Sequence, residues 1–306
     1  MITRKSKLIL IKIFSFFSVV RGYNILVIAL AQYLAAIFIL SPEASALKVI
    51  LDYKLFILVL ASSLAIASGY IINNFYDAKK DLINRPRKVM IDRLVSQQTK
   101  LKVYFTINFM VALMACFISW RAMLFFSVYI FFIWFYSHKL KKYPIIGNIT
   151  ASLLAILPFF GILLYYKIFY NVIFAHAMFL FLLIFIRELI KDLENIEGDL
   201  ASNYRTVPVL FGENTAKTII TFLTITTLVP VYFLVDVFDI GYMDLYFYAS
   251  LIALFFFIIQ LWKSKTKAQY IQLHFVLKIV ILAGVFSIVL IDPVVLLHVK
   301  KLISTY

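Results

Sequence analysis

The chain has 306 residues, 64% of them hydrophobic and 17% aromatic, with a mean hydropathy of +0.97. A soluble protein of this length needs far more polar surface to cover its core, so composition excludes one and leaves a single polytopic membrane domain over 1–306. The net charge of +15 would suggest nucleic acid in a soluble chain, but here the cations sit in short connections beside apolar runs, where they orient a membrane protein and meet lipid headgroups or phosphates; no nucleic-acid partner is expected.

At the start, Thr3-Arg4-Lys5-Ser6-Lys7 and then Leu8 to Val20 imitate a signal peptide, but no small-residue cleavage site precedes Arg21-Gly22-Tyr23-Asn24. Residues 1–22 therefore read as a basic amphipathic helix on the cytoplasmic surface. Apolar runs of the length a bilayer demands follow at 23–40, 55–74, 101–119, 122–136, 148–166, 171–190, 215–235, 245–262 and 271–291. The least marked boundary is between the third and fourth, where only Trp120-Arg121 intervenes.

Charge tests this count. With the N-terminus in the cytoplasm, the inner segments and their borders (1–22, 75–100, 137–147, 191–214, 263–270) hold about 23 of the 30 Lys and Arg. The outer connections (41–54, 120–121, 167–170, 236–244) hold about four, and only Lys300 and Lys301 run against the pattern. The expectation is an all-α protein of about nine spans with its N-terminus inside.

Two polar stretches interrupt this apolar background on the cytoplasmic side. The first is Asn73-Asn74-Phe75-Tyr76-Asp77-Ala78-Lys79-Lys80-Asp81, followed by Asn84-Arg85-Pro86-Arg87-Lys88, at the end of the second run. At about 100° per residue, Asn73, Asp77 and Asp81 fall within roughly 80° of arc on one helical face. The second, Arg187-Glu188 to Lys191-Asp192-Leu193-Glu194-Asn195-Ile196-Glu197-Gly198-Asp199, ends the sixth run. A continuing helix would put Asp192 and Asp199 on one stripe, with Asn195 and Asn203 near it. The pairs Asn73/Asp77 and Glu188/Asp192 share an i, i+4 spacing with four spans between them, which suggests a duplicated four-helix unit.

Carboxylates stacked at a membrane boundary are costly unless something positive lies between them. Facing across a cavity, the two stripes offer four, enough for two magnesium ions on a diphosphate. Lys79, Lys80, Arg85, Arg87, Lys141, Lys191 and Arg205 are near enough in the chain to neutralise its remaining charge. Metal-clamped diphosphate is a good leaving group, and an allylic chain that loses it leaves a cation that aromatic faces stabilise. Glu194 and Glu197 read as solvated charges, Lys139-Leu140-Lys141-Lys142 as much an orientation signal as a ligand, and the 31 phenylalanines as packing or lipid-facing residues. Cys116 lies in an apolar run, so no disulfide or thiolate site is expected, and His138, His176, His274 and His298 are too scattered to form a cluster.

These residues resemble a known family. Asn73, Asp77 and Asp81 are similar to the Asn-Asp-x-x-Asp-x-x-x-Asp signature of the UbiA superfamily of intramembrane prenyltransferases, with Asn74 in place of its first Asp. Asn84-Arg85-Pro86, Tyr136-Ser137 through Leu140-Lys141 to Gly147-Asn148, Asp192 to Asp199, and Thr206-Val207-Pro208 with Phe211-Gly212 resemble its further elements, as do Arg21 and Asn24 at the start of span one. The resemblance implies nine helices around a central cavity and Mg²⁺-dependent transfer of a prenyl group from a polyprenyl diphosphate to an acceptor. It implies metal or diphosphate-metal ligation by Asp77, Asp81, Asp192 and Asp199 with Asn73 in support. Substrate binding then falls to Asn24, Asn73, Arg85, Tyr136, Lys141, Asn148, Asn195 and Arg205. The second motif is most similar to the branch that transfers geranylgeranyl to geranylgeranylglyceryl phosphate. Aromatic quinone precursors of hydroxybenzoate or dihydroxynaphthoate type are the alternative acceptors, with haem or chlorin further behind. A transporter or ion pathway is the alternative of another class, and Asn74 and Asn203 (where many members carry Asp) leave open a pseudoenzyme of the same fold.

Overall fold

The computed structural model describes residues 4–291; His298, Lys300 and Lys301 lie outside them. Among the described residues nine helices are long and apolar enough to cross a membrane: Gly22–Leu40, Tyr53–Tyr76, Gln97–Ile118, Trp120–Lys142, Ile146–Tyr166, Asn171–Glu194, Val207–Val237, Gly241–Lys263 and Lys267–Ile291. These are numbered here as spans 1 to 9. Helices are what such a sequence must form, because only they satisfy every backbone donor and acceptor within one segment of an apolar medium.

Polar caps set several ends. The Asp52 carboxylate accepts from the amides of Lys54 and Leu55 to open span 2, and Ser96 and Ser119 do the same for spans 3 and 4. Ser119, extended and hydrogen-bonded to the Ala122 amide, thus makes the break that the sequence marked only by Trp120-Arg121. Span 7 starts earlier than the expected 215, because Val207-Pro208 begins a helix and Gly212, at φ +84°, kinks it.

The spans form two groups. Spans 2 and 6 are the most enclosed, with 61% and 56% of their central residues buried against at most 33% elsewhere. Span 2 packs on spans 3 and 4 through Ala61, Ala65, Ile71, Val111, Ala115 and Ile133; span 6 packs on spans 7 and 9 through Leu183, Ile186, Leu189, Ile220 and Leu277. Each group is thus built round the helix that ends in an acidic stretch, although span 6 packs on span 9 where a four-span repeat of the span 2 contacts would call for span 8. The N-terminal helix Arg4–Val19 lies against the short helix Pro86–Asp92, where the Ser15 hydroxyl donates to the Ile91 carbonyl at 2.7 Å.

Span 5 carries Pro158 in its interior, which deprives the Leu154 carbonyl of its helical donor. The Tyr129 hydroxyl of span 4 supplies the missing bond at 3.1 Å, and the Gln32 amide of span 1 donates to Pro158 O at 2.9 Å. Three spans are pinned at one proline. Tyr129→Phe leaves that buried acceptor unpaired, so a loss of about 1–3 kcal/mol of stability is expected, checked as a lower thermal midpoint in detergent.

Candidate active site

Span 2 ends at Tyr76, and Asp77 (φ −86°, ψ 1°) joins it to the short helix Ala78–Asn84. The joint keeps the helical register, since Asp77 N donates to Asn73 O at 2.9 Å and Asp81 N to Asp77 O at 2.8 Å. Asn73, Asp77 and Asp81 accordingly line one pocket, as their spacing predicted.

The second stretch departs from its expected course. The helix of span 6 stops at Glu194, Asn195 breaks it at φ −113° and ψ 15°, and Ile196–Ala201 starts a new one. The single stripe through Asp192 and Asp199 therefore does not form. Asp192 lines the pocket and accepts from the Asn148 amide at 2.8 Å, while Asp199, 0% exposed, lies behind it, ion-paired to Lys80 and accepting from the Thr206 hydroxyl at 3.3 Å. The two stretches meet directly. Asn84 Oδ1 accepts from the Gly198 amide at 3.2 Å, and any Cβ at Gly198 would overlap the Asn84 amide. Glycine is what allows this approach.

The pocket, about 220 Å³, lies between spans 1, 2, 4, 5 and 6. Of the expected site residues Asn73, Asp77, Asp81, Arg85, Tyr136, Lys141, Asn148, Asp192 and Asn195 line it, as do Lys80 and Lys191. Asn24 instead donates to the Tyr70 hydroxyl at 3.2 Å in an adjoining cleft. Arg205 is exposed and outside the pocket, its backbone amide docked on Lys142 O at 2.9 Å; Lys79, Arg87 and Asn203 are exposed too. Glu194 corrects its reading as a solvated charge: it is buried, accepting from Arg85 at 3.0 Å and meeting His274 Nδ1 at 3.0 Å. Glu197 is exposed, as expected.

Lysines hold the acids. The Lys141 ammonium donates to Asp77 Oδ1 at 2.6 Å and Asn73 Oδ1 at 3.1 Å, and the Tyr204 hydroxyl donates to the same Asp77 oxygen at 2.9 Å. Burial alone would raise the Asp77 carboxyl, but the charges of Lys141 and Lys80 with these hydrogen bonds hold it below its ordinary range. Asp81 is pushed up, first by burial and then by the Asp77 charge beside it. Burial likewise raises Asp199 in spite of Lys80. Tyr204 was invisible in the sequence, since a lone tyrosine in a loop has no pattern and its partner Asp77 is distant along the chain.

Two further spaces adjoin the pocket. A basic cleft between the N-terminal segment and span 9 shares Arg21, Arg85, Arg187, Glu188 and Lys191 with it and adds Lys88, His274 and Lys278. Lys278 lies 4.3 Å from the Tyr23 ring centroid and Arg21 5.1 Å from that of Tyr70; among the described residues neither has a carboxylate partner. An almost wholly apolar chamber lies about one turn further along spans 1 and 5, lined from Ala31 and Ala35 and from Ile156 and Phe159 to Phe179 and Phe247.

The donor set decides what a metal would find. Asn73, Asp77 and Asp81 offer hard oxygens on one side of the pocket, and among the described residues Asp81 has no ion-pair partner to offset the neighbouring Asp77. A divalent cation fits there. Among the described residues no three carboxylates, histidines or cysteines form a closed metal cluster, so phosphate oxygens or water would have to complete its shell.

The model of the UbiA prenyltransferase family matches residues 29–282. A digeranylgeranylglyceryl phosphate synthase of Methanobrevibacter smithii is 28% identical over 255 residues, which cover 78% of this chain and 84% of that protein. The Thermococcus gammatolerans protein of the same name is 34% identical over 179 residues, 58% of this chain and 64% of its own. Among solved structures, a UbiA homolog from Archaeoglobus fulgidus bound to GPP and Mg²⁺ superposes with a TM-score of 0.67 at 15% identity, covering 90% of this chain and 99% of that one.

Proposed function

The chain belongs to the UbiA prenyltransferase family, and from that premise we propose that it transfers a geranylgeranyl group from its diphosphate to geranylgeranylglyceryl phosphate at the cytoplasmic end of the bundle. One observation carries this reading: Asn73, Asp77 and Asp81 share a pocket with Asp192, Arg85, Lys141 and Lys191, and an apolar chamber lies about one turn further along spans 1 and 5. A divalent ion held by Asn73, Asp77 and Asp81, with Mg²⁺ the natural choice for oxygen donors and a diphosphate, would stabilise the charge that grows on the departing phosphate oxygens. Arg85, Lys141 and Lys191 bind the remaining phosphate oxygens as cationic donors. The chamber takes the apolar tail. Tyr70, Tyr129 and Tyr136 wall the reacting end against water.

The acceptor reading rests on charge. An aromatic acid needs one cation near the pocket, whereas the cleft beside span 9 adds Lys278, without a carboxylate partner among the described residues, to those the pocket already has, on a face bordered by Phe17, Ile271 and Phe275. Phosphate on an apolar lipid suits such a surface. The names of the relatives point the same way. The density of Lys and Arg in the segments at this end supports a cytoplasmic location and an N-terminus inside. A transporter needs acids spread through the bilayer, and the acids of this pocket stand at one end of spans 2 and 6.

The test is labelled-product analysis in lipid with geranylgeranyl diphosphate and Mg²⁺. Geranylgeranylglyceryl phosphate should be prenylated and 4-hydroxybenzoate and dihydroxynaphthoate left unreacted; an aromatic product alone would overturn the acceptor assignment. Lys278→Ala removes one charge-assisted bond to the acceptor phosphate, so its KM for that acceptor is expected to rise about tenfold, with the KM for the diphosphate donor unchanged.

A further inference from the structure

We propose that Lys80 is a built-in cation standing where a second metal ion would go, so that this chain binds its diphosphate substrate with one divalent ion. The inference rests on the prenyl-transfer reading above and concerns how the charge in that pocket is balanced. Four carboxylates, Asp77, Asp81, Asp192 and Asp199, would serve two divalent ions if all four faced the substrate. They do not all do so.

Asp199 is fully buried and absent from the pocket lining, its oxygens taken by the Lys80 ammonium and the Thr206 hydroxyl. Lys80 lines the pocket, with its ammonium 4.4 Å from the centroid of the Tyr204 ring, whose hydroxyl holds Asp77. Asp77 and Asp192 are also close enough for their charges to act on Lys80. Lys80 thus sits among three of the four acids, on the Asp199 side.

A second divalent ion beside Asp199 would have to displace Lys80 from its ion pair and leave that ammonium against another cation. The remaining place is at Asp81, which lines the pocket with Asn73 and Asp77 and has no ion-pair partner among the described residues.

The experiment counts ions on the full chain in lipid nanodiscs, saturated with Mn²⁺ and the unreactive thiolo analogue of geranylgeranyl diphosphate and then freed of unbound metal by gel filtration. Elemental analysis gives the number per chain, and electron paramagnetic resonance reports whether neighbouring Mn²⁺ ions couple. One uncoupled Mn²⁺ is expected in the wild type and in Lys80→Arg, and two coupled ions in Lys80→Met, where Asp199 is released. Two coupled ions in the wild type would overturn the proposal while leaving prenyl transfer intact, and this count stands even if Lys80→Met fails to fold. One ion in both wild type and Lys80→Met also overturns it. Absence of Mn²⁺ from every protein would remove the metal-dependent transfer reading, and the proposal with it.

Discussion

Asp77→Asn should lower geranylgeranyl transfer by about 10²–10³-fold, the loss typical when a group that stabilises developing charge is removed. Asp77 is the point where the pocket converges: it accepts from Lys141 and from Tyr204, shares a face with Asn73 and Asp81, and contributes to the field that holds Lys80. The amide keeps the shape but lacks the charge. A complication follows from the same contacts, since the substitution leaves the Lys141 ammonium buried against neutral amide oxygens with no carboxylate, and breaking a buried pair from one side costs about 3–5 kcal/mol. Lost activity could then reflect lost fold. The double variant Asp77→Asn/Lys141→Met separates the two, because removing the stranded cation should restore much of the thermal midpoint without restoring turnover. The measurement is release of labelled diphosphate alongside a melting curve for each variant. Turnover within threefold of wild type in Asp77→Asn would remove Asp77 from the reaction.

Much of this architecture was legible along the chain because a bilayer constrains it. Apolar runs of fixed length give the spans, and an acid at a membrane boundary stands out against them. Local spacing also placed Asn73, Asp77 and Asp81 together, since their register survives the joint at Asp77. It failed at Asn195, where the helix breaks and Asp199 turns away from the stripe it would share with Asp192. The pairs that define the electrostatics are tertiary: Arg85 with Glu194, Glu194 with His274, Lys80 with Asp199, Tyr204 with Asp77. No periodicity encodes them. Arg205 shows the opposite failure, a cation near the second motif in sequence that stands exposed outside the pocket. Burial decides which charges matter, and burial is a property of the assembled bundle.

Asp92→Ala is expected to cost about 3–5 kcal/mol of stability, although Asp92 does not line the pocket. The carboxylate is 2% exposed and accepts from the Asn74 amide at 2.8 Å, the Lys88 ammonium at 2.6 Å and the Ser18 hydroxyl at 3.3 Å. Asn74 in turn accepts from Lys100, itself 1% exposed, at 2.8 Å. The network ties the N-terminal helix, span 2, the Pro86–Asp92 helix and span 3 together at one buried point, and Asp92 is its only negative charge. Without it two cations face an amide with nothing to balance them. The network also accounts for asparagine at 74. Its amide must donate to a carboxylate and accept from an ammonium, and an aspartate there would set two carboxylates against each other. Asn74→Asp should therefore also lower the thermal midpoint, although neither Asn74 nor Asp92 itself lines the pocket where Asn73, Asp77 and Asp81 stand. Differential scanning fluorimetry in detergent makes the comparison, and an unchanged midpoint in Asp92→Ala would mean that the lysines find other partners. Since the 85–92 segment carries Arg85 into the pocket at one end and Asp92 into this network at the other, loosening Asp92 should weaken the hold on diphosphate through Arg85 before the bundle itself comes apart.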